Sequence, residues 1–163
     1  MKLELLFHIN LSIVLLIAFI ATKKKLTILE NIFMILLLEF ILSSYYAVLY
    51  VNLGLWEVSK ESGLYACFVL YEIAVVPIVY MFYYNKVVFM KSVWIKMTFT
   101  IVTIGAIYIA EVLLIYMGVV TYKSWYMWQS LVGIFLLIVL FGFILYGFQR
   151  LLKWEGVIKH DAT

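Results

Sequence analysis

Three carboxyl groups stand where carboxyl groups are costly. Glu39, Glu72 and Glu111 each lie inside a long apolar run, and a charged side chain at the centre of a membrane-spanning helix costs about 2.5–3.5 kcal/mol on insertion scales. Groups so placed can exchange a proton, hold a cationic ligand, act as acid and base on a lipid-like substrate, or bond one helix to another. Counting inward at ~1.5 Å per residue sets Glu39 and Glu72 near the midplane, with Glu111 and His8 ~7 Å nearer the outer face. Tyr46, Tyr108 and Gln129 fall in the same zone, as do Asn10 and Tyr71. Five helices turned with these faces inward would enclose a polar pocket opening outward. Glu39, Glu72, Glu111, His8, Tyr46, Tyr108 and Gln129 are its candidate lining.

Each group also has a structural reading. A carboxyl that hydrogen-bonds a Tyr or Ser hydroxyl fastens two helices in lipid, a contact worth about 1 kcal/mol. The apolar runs carry no Lys or Arg near that depth, so the charge must be met by a proton, by His8 or a bound cation, or by water entering the pocket. His8 lies near the end of its run, where a structural or interfacial histidine suffices. No two candidate ligands stand at the i, i+4 spacing of a helical metal site, and no phosphate-binding glycine loop or nucleophile elbow occurs. No metal, cofactor or catalytic residue is expected on these grounds. Cys67, the only cysteine, lies in an apolar run and reads as packing.

The elements that must position these groups follow from composition. Hydrophobic residues make up 67% of the 163 and charged ones 13%, with a mean hydropathy of +1.13, whereas soluble domains are about a quarter charged. That length holds roughly five spans of about 20 residues and leaves nothing over for a soluble domain. Residues 5–22, 26–53, 63–84, 93–119 and 125–152 read as the spans of one integral membrane domain covering 1–163. They are helices, because a helix satisfies its own backbone in lipid and the runs exceed the strands of a barrel. The predicted fold class is therefore all-α, a polytopic bundle of five transmembrane helices. The first run is not a cleavable signal peptide, since Lys23, Lys24 and Lys25 follow it instead of preceding it. Pro77, five residues after Glu72, predicts a kink in the third helix.

Orientation is read from basic residues near the span ends. One side gathers nine, Lys23, Lys24, Lys25, Lys86, Lys91, Lys96, Arg150, Lys153 and Lys159, and the other three, Lys2, Lys60 and Lys123. This places the N-terminus outside and the C-terminus in the cytoplasm. Trp56, Trp125 and Trp128 are expected as anchors at the outer interface, with Trp94 and Trp154 at the inner one. A net charge of +3 with dispersed lysines gives no footprint for nucleic acid. The expected surroundings are the lipid bilayer.

From Glu72 onward the order of features resembles a family of small, multi-spanning, functionally uncharacterised membrane proteins of Gram-positive spore-forming bacteria. The residues that carry the resemblance are Glu72 with Pro77, Tyr84 and Asn85 at the inner end of that span, Glu111 in the next, and Tyr122, Trp125 and Trp128 opening the last. The family pattern often has Pro before the later Glu and histidines among the final tryptophans, where this chain has Ala110 and Lys123, Ser124. The resemblance implies five helices, a bacterial plasma-membrane location and a sporulation-linked setting, without an assigned activity.

The first functional reading is a non-enzymatic multi-pass protein of the plasma membrane: a subunit or accessory factor of a membrane complex, or a small-ligand-binding protein. Its partners would be other membrane proteins, a second copy in a homodimer, or a small lipophilic or cationic ligand. The alternative is a proton-coupled carrier of a cationic or lipophilic compound, with Glu72 as the exchanging group. The third is an intramembrane enzyme modifying a lipid or isoprenoid with paired carboxyls.

Overall fold

The computed structural model describes residues 3–155; Lys2, Lys159 and the polar tail to Thr163 lie outside the described residues. Five helices in it are long and apolar enough to cross a membrane, and the chain is a multi-pass, all-α membrane protein. The first span is α1, Leu3–Ala21. The second, Ile28–Asn52, is α2, Ile28–Ala47, prolonged by a π-helical turn over Val48–Asn52. The third, Ser62–Val87, is α3, Ser62–Leu70, a π-turn at Tyr71–Val75, and α4, Val76–Val87. The fourth is α5, Val93–Tyr116, and the fifth α6, Met127–Trp154.

Local chemistry sets the helix ends. Lys24 folds back so that its ammonium donates to the Phe19 and Ile20 carbonyls in the last turn of α1. Thr27 and Glu30 form a capping box at the start of α2, with Thr27 N donating to Glu30 Oε2 at 2.6 Å. Pro77 stands in the first turn of α4, where its missing N–H is tolerated. The irregularity expected there takes the form of the π-turn just before it, closed by Val76 N donating to Tyr71 O, five residues back.

Successive spans alternate in direction, so the connections collect at two ends. Two of them carry short strands, β1, Trp56–Val58, and β2, Val120–Tyr122, which pair antiparallel. The opposite end bears Lys23, Lys24, Lys25, Lys86 and Lys91. These are called the strand end and the lysine end below. The third span is the most enclosed, with 44% of its apolar window buried against 11% for α1. Its tyrosines span the gap to α6: the hydroxyls of Tyr80 and Tyr84, one turn apart, donate to the carbonyls of Ile134 and Ile138, also one turn apart, at 3.4 and 2.6 Å. Large apolar side chains such as Phe40 and Phe143 point outward, as a lipid-facing surface requires.

Candidate functional site

At the strand end, Gly118 adopts φ +70° and ends α5. Its N–H donates to Ile115 O at 3.0 Å and that of Val119 to Leu114 O at 2.9 Å, the paired bonds of a Schellman turn. The chain then reverses into β2, whose Val120, Thr121 and Tyr122 stand opposite Val58, Glu57 and Trp56 of β1. Ser59 N to Val119 O and Lys123 N to Leu55 O, each 2.9 Å, lengthen the ladder at both ends. Glu57 and Lys123 form an ion pair at 3.2 Å on its exposed side. Two strands alone are marginal in water; these close over the helix ends with Trp56 and Val120 buried beneath.

The ladder delivers Tyr122 to Glu111. The Tyr122 hydroxyl donates to Glu111 Oε1, and the hydroxyl of Ser130, in the first turn of α6, donates to the same oxygen. Trp125 Nε1 donates in turn to Ser130 Oγ at 2.7 Å. Glu111 is 3% exposed, so α5, β2 and α6 converge on one enclosed carboxyl oxygen. Burial, and then the Glu111 carboxyl beside it, push the Tyr122 hydroxyl well above the usual phenol range. A carboxyl held by two hydroxyls under a closed ladder fastens helices together.

Aromatic rings continue inward from this point. Tyr122 lies 5.5 Å from Trp56 between centroids, and Trp56 lies 5.7 Å from Tyr46. Tyr46 donates to the Tyr71 hydroxyl at 3.4 Å. Trp56 was expected as an outer interface anchor, yet its ring is 2% exposed and its indole N–H is buried without a partner. The ladder fold brings it under cover.

Glu39 and Glu72 lie elsewhere. Glu72 sits in the π-turn of the third span beside the Ser43 hydroxyl of α2. Glu39, one helical turn from Ser43, is within electrostatic reach of Glu72. Both carboxyls are half-buried, and α2 flanks them with outward-facing Leu36 and Phe40. They form a seam on the outer surface of the bundle. Among the described residues no Lys or Arg stands at mid-span depth.

The remaining candidates are separated as well. His8 is buried on α1, which packs against α3, and its Nδ1 donates to Glu4 O at 2.9 Å. Tyr108 is half-buried on α5, and Gln129 caps α6 by accepting from Tyr126 N at 2.8 Å. Trp94, Trp128 and Trp154 are exposed near helix ends, while Trp125 is half-buried over Ser130. The structure thus brings Glu39 to Glu72 and Tyr46 to Tyr71, with Glu111 within electrostatic reach of the two tyrosines.

A polar cluster that the sequence reading did not single out closes the lysine end. Glu30 is fully buried, its second carboxyl oxygen accepting from Gln149 Nε2 of α6 at 2.6 Å. Asn85 Oδ1 accepts from the backbone N–H groups of Lys25 and Leu26, while its Nδ2 donates to Asn31 Oδ1 at 2.8 Å. Here a connection between spans is satisfied by side chains in place of water. The available signal was Asn85 itself, an amide at the end of an apolar run.

A groove of ~600 Å³ lies between α4, α5 and α6, opening on the bundle surface toward the lysine end. It is distinct from all three carboxyl sites. No known protein family, curated protein or solved structure matches the chain.

Proposed function

We propose that this multi-pass protein is a non-enzymatic subunit or accessory factor of a bacterial plasma-membrane complex, bound side-on through Glu39 and Glu72. One observation carries the reading: two neighbouring carboxyls sit half-buried at the bundle surface at mid-span depth, without a cationic partner among the described residues. Leaving such groups against lipid costs several kcal/mol, which a mid-span Lys or Arg on a neighbouring helix would offset. A second copy offers no such cation at that depth, so the partner is a different chain. The resemblance to small membrane proteins of spore-formers supports the choice of membrane. The excess of lysines at one end supports a cytoplasmic C-terminus.

The test uses two synthetic transmembrane helices differing only in a mid-span Lys or Leu. Labelled for energy transfer and reconstituted with the purified protein, the Lys helix should associate at least several-fold more strongly. Glu39→Gln with Glu72→Gln should remove the difference. Equal association of the two helices with the natural protein would exclude the proposal. A reporter fused at the C-terminus that is active only outside the cell would overturn the orientation.

A further inference from the structure

The groove between α4, α5 and α6 is graded along its length. Its mouth, at the lysine end, is formed by Val88 and Val93 with Lys96, a half-buried lysine one turn inside α5 that makes no ion pair among the described residues. One turn deeper, the Tyr83 hydroxyl donates to Thr100 Oγ1 at 2.9 Å, the Thr100 hydroxyl itself donating to Lys96 O. Beyond that the walls are apolar: Ile104 and Ile101 from α5, Phe135 and Val139 from α6. From Lys96 to Ile104 the groove descends ~12 Å. At the strand end Glu111 and Ser130 join α5 to α6, and Tyr80 and Tyr84 reach across from α4 to the Ile134 and Ile138 carbonyls of α6.

We propose that this groove is a binding site for an anionic phospholipid, with the headgroup phosphate on Lys96 and one acyl chain lying along Ile101, Ile104 and Phe135. The case rests on charge complementarity. Among the described residues no acidic side chain lines the groove, Lys86 precedes its lining residues Val87 and Val88 and Lys91 lies between Val88 and Val93 in sequence, and basic pockets between transmembrane helices recognise anionic lipid headgroups. A zwitterionic lipid would fill the apolar part equally well but gain nothing from the lysine. The site shares no residue with the Glu39–Glu72 seam, so either proposal can fail without the other.

Native mass spectrometry of the full-length protein, offered equal phosphatidylglycerol and phosphatidylcholine of identical chains, tests it. The natural protein should retain phosphatidylglycerol about fivefold over phosphatidylcholine, the ratio expected of one lysine near an anionic surface. Lys96→Gln should bring the ratio close to one, while Lys23→Gln, exposed at the same end but outside the groove, should leave it unchanged. Ile101→Trp, at an outward-facing wall position, should lower retention of both lipids. The proposal is overturned if the natural protein holds both lipids equally or if Lys23→Gln acts like Lys96→Gln. It is overturned equally if inorganic phosphate alone displaces the lipid, or if the protein forms a dimer that excludes it.

Discussion

Trp56 and Tyr122 stand directly opposite each other in the two-stranded ladder, and the hydroxyl of the second ends on Glu111 of a helix in neither strand. This single cross-strand pair joins the two connections of the strand end to the interior of the bundle. Its ring contact and its hydroxyl contact can be removed separately.

Tyr122→Phe keeps the ring against Trp56 and deletes one of the two donors to Glu111. Leaving a buried acceptor short of a donor costs about 1–3 kcal/mol, so the thermal midpoint in detergent should fall. Ser130→Ala removes the other donor and also strands the Trp125 N–H, and should cost at least as much. The two substitutions together should depart from additivity by about 0.5 kcal/mol or more, because they share one oxygen. Strict additivity would place the two hydroxyls in separate networks.

Alkaline pH supplies a second measurement on the same residue. The folded-state pKa of Tyr122 is raised, so the folded protein keeps a proton that the unfolded chain releases above about pH 10. The corresponding stability is complete below that pH and is lost as pH rises toward the folded value. Midpoints recorded at pH 8 and 11 should fall less steeply in Tyr122→Phe than in the natural protein. Identical slopes would mean that Tyr122 is not held in its proton-bearing form by the fold.

The hydroxyl of Tyr45 occupies the space that a Cβ on Gly133 of α6 would need. Gly133→Ala should therefore destabilise by about 1–3 kcal/mol, the usual cost of overpacking. Adding Tyr45→Phe, which removes the clashing oxygen, should recover most of the loss. If Tyr45→Phe restores nothing, the α2–α6 contact is not limited by that atom.

At the lysine end, Glu30→Ala would leave Gln149 Nε2 and Thr27 N without the acceptor they share. Asn85→Ala would do the same to the N–H groups of Lys25 and Leu26. Each should cost about 2–3 kcal/mol. Hydrogen exchange should quicken in residues 22–30 in both variants, and an unchanged exchange rate there would contradict the arrangement.

The five spans were legible because lipid demands long apolar helices and little else in the chain competes for that reading. The ladder was not, since three residues per strand are too few to show alternation, although Trp56, Val58, Val120 and Tyr122 are all good strand formers. Glu30 escapes that reading because it lies in the first turns of the second run, close after three lysines, where a charged residue at the membrane surface needs no partner. Gln129 was singled out and Ser130 was not. The helical face through Ser130, Ile134, Leu137, Phe141 and Leu145 is the buried one, and a reading anchored on that stripe would have found the partner of Glu111. The seam between Glu39 and Glu72 depends on which way α2 turns, which hydropathy alone does not fix.

The π-turn at Tyr71–Val75 works as a one-residue vernier. Its wider turn uses one residue more than an α-helix needs for nearly the same rotation, so a chain lacking Ala74 could close it as ordinary α-helix with the segments on either side still facing the same way. Cys67 and Phe68, now fully enclosed, would stay on the interior while Tyr80 and Tyr84 stayed on α6. The wide turn is thus what keeps both halves of the span facing the bundle despite one surplus residue, and a single deletion there should be tolerated far better than one elsewhere in the same span, which would turn its two halves about 100° out of step.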